Sequence, residues 1–315
     1  MILSFDELKS IYYGAYSFEE TEDGYLRAYQ YSAPQIEYFS HAFEMWYPRC
    51  MSSTAKTLEF TTDATTLSFD YKIIWTGSDD TFELCVDGLI TQIEYVENME
   101  WEGTLNFTME AGHKSVILYL PAEATVLIKN VNINAGVTPV KKGPKVLWLG
   151  DSITQGYGTS RSACTYVSVA NRILNYDIIN QGIGGYIYDC KSLMRMEGYM
   201  PDKIIVALGT NQYGCESMRD VEEYYEVLTS LYPTTPTLCI TPIWRGDHPE
   251  EMSIFTSFCG KVRDIAMKYP NITVVDGFKL VPHLPEYYKD LLHPNALGAE
   301  IYARNLVKVI EETGF

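Results

Sequence analysis

Positive charge is scarce in this chain: its 315 residues hold 24 Lys and Arg against 41 Asp and Glu, a net charge of −17. Nucleic-acid binding needs a basic footprint, so that class is set aside. Long apolar runs are missing too; none reaches the roughly 18 residues a membrane helix needs, and no membrane partner is expected. The opening segment, Met1 to Ser10, has no basic start, no sustained apolar core and no small-residue cleavage site. It does not read as a secretory signal, and the expected location is cytoplasmic. Cysteine is sparse and odd in number, with 7 residues at positions 50, 85, 164, 190, 215, 239 and 259. None forms a close pair at metal-ligand spacing, so reduced thiols are expected rather than a disulfide framework or a metal cluster.

What is present is a globular composition, 46% hydrophobic and 21% charged. The acidity is unevenly spread. Residues 1–140 hold 21 acidic against 7 basic side chains, and residues 141–315 hold 20 against 17. That contrast, with the length, predicts two domains, 1–140 and 141–315. The acidic surface of the first is read as a solubility feature.

The rhythm of the sequence changes near residue 140. Before it come short runs rich in β-branched and aromatic residues, at 57–60, 66–75, 81–86, 115–120 and 125–129, punctuated by turns at 77–80, 87–88 and 111–113. Such spacing, with little helical periodicity, predicts an all-β sandwich or jelly roll. The tyrosines at 12, 13, 16, 25, 29, 31 and 38 offer stacking surfaces for a sugar, but packing of the sandwich or its interface is the commoner use. A connector follows at 136–144. Beyond it, five short apolar runs at 146–149, 176–179, 203–208, 237–240 and 272–275 alternate with helical spacing at about 162–174, 188–198, 217–231, 250–269 and 296–312. This predicts a three-layer α/β/α unit with a five-stranded parallel sheet. Ligands of such sheets bind beyond the carboxyl ends of the strands, where motif residues should stand.

They do. Gly150-Asp151-Ser152-Ile153 follows the first run, presenting a serine and its backbone N–H at a tight turn. Asn180 to Gly185 follows the second, with glycines that let a backbone approach a substrate. Gly209-Thr210-Asn211 follows the third and supplies an amide donor. Asp290-Leu291-Leu292-His293 stands just before the last helix, and a carboxylate three residues ahead of a histidine can hold its Nδ1–H and leave Nε2 for the serine. Each block alone is commonplace; the order and placement of all four indicate an enzyme. His248 and His283 lie in loops without a matching carboxylate block and are read as loop histidines.

The four blocks resemble those of the SGNH hydrolases, the GDSL-type esterases and acylhydrolases, over about residues 144–312. The resemblance implies a flavodoxin-like fold with no metal or organic cofactor. It implies Ser152 as nucleophile, His293 as general base and then acid, and Asp290 as the orienting carboxylate. The N–H groups of Ser152 and Gly185 and the side chain of Asn211 would form the oxyanion hole. Gln212 stands where family members often carry Asp, altering the neighbouring pocket wall. Trp244 and Arg245, after the fourth strand, are candidates for the substrate pocket. The stretch from Gly150 to Gly158 behind a β-rich domain resembles the two-domain carbohydrate esterases, and also an acyltransferase subgroup of the same layout. The expected activity is therefore hydrolysis of short acyl, above all acetyl, esters on carbohydrates. Acyl transfer to another alcohol, or carbohydrate binding by an inactive esterase domain, are the alternatives. No long insertion suited to a lipase lid is present.

Overall fold

A computed structural model describes residues 2–315. Eleven strands come first: β1 (Tyr12–Tyr13), β2 (Ser17–Glu20), β3 (Leu26–Tyr29), β4 (Thr57–Thr62), β5 (Thr66–Thr76), β6 (Thr81–Val86), β7 (Leu89–Tyr95), β8 (Glu102–Thr108), β9 (Lys114–Tyr119), β10 (Ala124–Ile133) and β11 (Val137–Pro139). They form two antiparallel sheets. One runs β1-β4-β9-β6-β7, with β11 also paired to β4; the other runs β2-β3-β10-β5-β8. Alternating inward residues such as Leu67, Phe69, Tyr71 and Ile73 on β5 meet Leu58, Phe60, Leu84 and Leu118 of the opposite sheet. Period-2 burial of this kind makes the sandwich core.

Five parallel strands follow: β12 (Lys145–Gly150), β13 (Asp177–Gly182), β14 (Lys203–Ala207), β15 (Thr237–Ile240) and β16 (Ile272–Val275). Their order is β13-β12-β14-β15-β16. Leu147, Ile204 and Val206 face one apolar layer, and Val146, Trp148 and Ile205 the other. The fold class is thus an α/β unit with a five-stranded parallel sheet behind a β unit, as the sequence indicated. The helices of the second unit are α4 (Ser152–Gln155), α5 (Tyr166–Leu174), α6 (Arg219–Leu231), α7 (Met252–Ala266) and α8 (Ala296–Thr313). No helix among the described residues is long and apolar enough to cross a membrane.

Two details differ from the sequence reading. Residues 188–198 do not form an α-helix; they contain one short 3-10 turn, Cys190–Ser192. Asp189 accepts the N–H of Lys191, and the Ser192 hydroxyl donates to the Asp189 carbonyl, so local side chains compete with helical bonding. Partners outside the segment hold it as well: Gln35 Nε2 donates to the Ser192 carbonyl and the Tyr38 hydroxyl to Asp189. The β-rich half also contains helices that periodicity did not show: α1 (Phe5–Ser10), α2 (Ala33–Ala42) and α3 (Trp46–Cys50). Their surroundings explain α2 and α3. Tyr31, Phe39, Trp46 and Cys50 are buried in the same apolar layer as Leu147, Ile179 and Tyr186, so these helices cover the parallel sheet near β13. Tyr12, Tyr25 and Tyr31 of the tyrosine-rich opening are buried, which is the packing use.

Candidate active site

Ser152 stands at the first position of α4, directly beyond β12. Asp151 caps this helix by accepting the N–H of Ile153 at 3.0 Å, and the Ser152 N–H, at a helix start, has no intrahelical acceptor. Asp151 is 3% exposed, and burial pushes its carboxyl up to about 7. Beneath the turn, Asn180 donates to the Thr154 carbonyl at 2.8 Å and to Thr54 Oγ1 at 2.9 Å, and accepts from the Gly182 N–H at 3.0 Å. Asn180 therefore belongs to β13 and supports the Ser152 turn from below.

The loop before α8 brings His293 over the serine. Ser152 Oγ lies 2.9 Å from His293 Nε2, and His293 Nδ1 lies 2.8 Å from Asp290 Oδ2. The other oxygen of Asp290 accepts the backbone N–H of His293 at 2.8 Å and of Leu292 at 3.1 Å. Leu291, between the two residues, takes the left-handed conformation at φ 65° that such a tight turn requires. The Lys289 N–H bonds the His293 carbonyl at 2.9 Å, closing the turn, and Asn295 caps α8. Tyr157 packs edge-on against the imidazole at 4.5 Å between ring centres. Gly158 has φ 104°, and a Cβ there would stand 2.8 Å from that of His293.

Burial lowers the pKa of His293, and Asp290 opposes this by favouring the imidazolium. For Asp290, burial by itself raises the pKa, but the bonds from the His293 N–H and ring outweigh it and hold the carboxylate below its ordinary range. The pair thus favours a neutral imidazole beside an ionised carboxylate, with Nδ1 donating and Nε2 free to accept the serine proton.

The remaining motif residues converge on the same edge. Gly185 is exposed beyond β13, and the Asn211 amide donates to the adjacent Tyr186 carbonyl at 2.8 Å, keeping a second N–H. Gln212 accepts the Tyr188 N–H at 2.7 Å and donates to Asp220 at 3.3 Å, so it braces the loop from β13 against the loop from β14. Arg245 is buried, paired through two nitrogens with Asp247, and donates to the Thr210 carbonyl at 2.7 Å. Trp244 lies flat against His283 and edge-on to Tyr288. These two side chains tether the loop after β15 to its neighbours. His248 is exposed near Asp247 and Glu250, and His283 bonds the Phe278 carbonyl, so the two alternative histidines are engaged elsewhere.

Sequence reasoning missed residues that the β unit sends to this edge. Arg49, at the end of α3, donates to the Gly184 carbonyl at 3.0 Å. Trp46 Nε1 reaches the Gly185 carbonyl at 3.3 Å. No motif marks either; their proximity arises from long-range packing alone. Tyr157, within the stretch from Gly150 to Gly158, was the one neighbour with a local signal.

A serine at the carboxyl edge of a parallel sheet, with Gly, Asn and Asp-x-x-His blocks around it, defines the SGNH class of α/β/α protein. The model of the GDSL-like lipase/acylhydrolase family matches residues 148–301, within the C-terminal unit. Among solved structures, the chain is similar to the salicylyl-acyltransferase SsfX3 from a tetracycline biosynthetic pathway. The TM-score is 0.78 and the identity 18%, over 96% of this chain and 94% of that one. A putative GDSL-like lipase from Bacteroides ovatus is similar with TM-score 0.75 and 16% identity over 96% and 94%. A family two carbohydrate esterase from Clostridium thermocellum, solved with cellohexaose, has TM-score 0.64 and 16% identity over 83% and 93%. At these identities the likeness is one of fold, and it extends through the β unit. No curated protein sequence matches the chain.

Proposed function

We propose that the chain is a serine esterase acting on short acyl, above all acetyl, esters of carbohydrates. The observation that carries the reading is the continuous relay from Ser152 Oγ to His293 Nε2 at 2.9 Å and from His293 Nδ1 to Asp290 at 2.8 Å. In this reading Ser152 Oγ attacks the ester carbonyl while His293 takes its proton. The oxyanion gathers the N–H groups of Ser152 and Gly185 and the free amide N–H of Asn211, each worth on the order of 3 kcal/mol. His293 then protonates the departing alcohol, and water repeats the attack on the acyl-enzyme, with Asp290 holding the imidazole throughout.

The carbohydrate side of the reading draws on the carbohydrate esterases among the similar folds, and on the bonds that Trp46 and Arg49 of the β unit make to the Gly185 and Gly184 carbonyls. A second reading, transfer of the acyl group to an acceptor alcohol, is favoured by the whole-chain likeness to a salicylyl-acyltransferase. Both readings share the acyl-enzyme; product analysis with and without an acceptor separates them. The test of the common part is Ser152→Ala. Turnover of a nitrophenyl acetate should fall by about 10⁴-fold or more, and retention of wild-type turnover would exclude Ser152 as nucleophile.

A further inference from the structure

One face of α5 is polar and looks toward the β unit. Ser168, Asn171, Arg172 and the capping Asn175, at helical spacing, line a cavity of about 70 Å³ between the two units. Opposite them stands one face of the first antiparallel sheet. Tyr13 on β1, Thr57 on β4 and Tyr119 on β9 are cross-strand partners, and Glu59 lies two residues beyond Thr57, so all four share that face. Lys142 of the connector completes the wall. Asn175 leads into β13 and Lys142 into β12, so the cavity lies at the amino ends of the parallel strands. Ser152 stands beyond their carboxyl ends.

Part of this wall is already satisfied. Glu59 accepts from Thr57 Oγ1 at 2.8 Å and, through its other oxygen, from Lys142 Nζ at 2.5 Å. These two charged side chains are 9% and 7% exposed. Arg172 is different. Its Nη1 donates to the Ala163 carbonyl at 2.5 Å and to the Tyr119 hydroxyl at 3.3 Å. Its Nε and Nη2 make no hydrogen bond among the described residues, and neither is shut off from solvent. No carboxylate there pairs with it. Tyr119 is 4% exposed, and its hydroxyl proton has no acceptor among the described residues. The charged groups of the lining are Lys142 and Arg172 against Glu59, so one positive charge is in excess.

A buried donor and a half-buried cation without acceptors are costly unless something fills the space between them. A water needs roughly 10–15 Å³ of such space, so several would fit, but water leaves the charge uncompensated. We propose that this inter-unit cavity binds a small monocarboxylate such as acetate, with the Arg172 guanidinium and the Tyr119 hydroxyl donating to its oxygens. A carboxylate matches a guanidinium through two parallel N–H···O bonds, and its single charge equals the excess. A phosphate dianion brings more negative charge than the lining offsets. The site changes no bond and lies apart from Ser152, so it holds whether or not the esterase reading does. A ligand gripped by α5 and β9 together also ties the two units to each other.

The test is an NMR titration of sodium acetate into the full-length protein, with ionic strength held constant by chloride. Ser152→Ala, Arg172→Met and Tyr119→Phe are compared, and melting curves establish that each is folded. Backbone amides of residues 171–176 should shift saturably with acetate and not with added chloride. Affinity read there should be unchanged in Ser152→Ala. It should fall about tenfold in Arg172→Met and in Tyr119→Phe, the loss of one hydrogen bond to a charged group. The Phe variant keeps the ring and its packing, so it decides the matter even where the Met variant fails to fold. Absence of a saturable acetate shift at 171–176, an equal response to chloride, or unchanged affinity in folded Tyr119→Phe overturns the site and leaves a water-filled cavity. Loss of the shifts in Ser152→Ala would move the acetate to the serine and overturn it as well.

Discussion

At the scale of single residues, the site asks one imidazole to stay neutral until a proton arrives and then to hold it. Burial supplies the first property and Asp290 the second. Because burial dominates, the folded pKa of His293 lies below 6.5, and the protonated form, present at lower pH, cannot accept from Ser152. The expected pH profile of kcat/KM therefore rises through a midpoint below the ordinary histidine value and is flat by neutrality. Asp290→Asn removes the influence that favours the imidazolium, so the midpoint should move lower still. Its plateau should fall by about 10³-fold, because the tautomer is no longer fixed. A wild-type midpoint above the ordinary value would contradict this electrostatic account. Gly158 provides a steric check on the same residue. Alanine there meets both an unfavourable φ and the Cβ of His293. A displacement of the imidazole on the order of 1 Å can cost about 10²-fold in kcat, measurable with KM for a nitrophenyl ester.

At the scale of elements, the turn that carries Ser152 depends on its neighbour strand. Asn180 is 1% exposed and satisfies the Thr154 carbonyl, Thr54 and the Gly182 N–H together. Asn180→Ala leaves those buried groups unpaired and should lower unfolding free energy by about 3 kcal/mol in denaturant titration, with kcat falling as well. A stable, fully active variant would mean that the turn holds without this brace. The parallel strands were legible because strands buried on both faces are near-continuous apolar runs; Thr237–Ile240 and Ile272–Val275 coincide with the runs seen in sequence. The placement of the Ser152 and Asp290–His293 blocks was legible because ligands of such sheets bind beyond the strand ends. Residues 188–198 misled because their spacing satisfied a helix, while their hydrogen bonds run to Gln35 and Tyr38 of a distant segment. Arg49 and Trp46 were invisible for the same reason: only tertiary packing brings them to the loop of Gly184 and Gly185.

At the scale of the molecule, the change in charge and rhythm near residue 140 coincides with the change from antiparallel to parallel strands, but packing does not stop there. Helices α2 and α3 share an apolar layer with the parallel sheet. Polar contacts cross elsewhere: fully buried Glu83 accepts from Thr81, from the Ala163 N–H and from Arg161. We therefore expect residues 141–315 expressed alone to be aggregation-prone, with Tyr186 and Ile179 stripped of cover, and the full chain to melt in one transition. A soluble, cooperatively folding fragment in size-exclusion and melting measurements would contradict this. Burial also pushes Asp80 up to about 7 and Glu123 to about 8. A carboxyl raised on folding favours the native state at low pH and loses that contribution as pH climbs through its folded pKa. The melting temperature should accordingly decline between about pH 5 and pH 8, and Asp80→Asn should flatten the slope whatever its effect on overall stability.

The account stands on Ser152 being activated by His293 at the edge of the parallel sheet. Labelling with a fluorophosphonate, followed by mass mapping of the modified peptide, addresses that most directly. The adduct should fall on Ser152, disappear in Ser152→Ala and form far more slowly in His293→Ala. An unlabelled wild-type protein, or an adduct on any other residue, would contradict it.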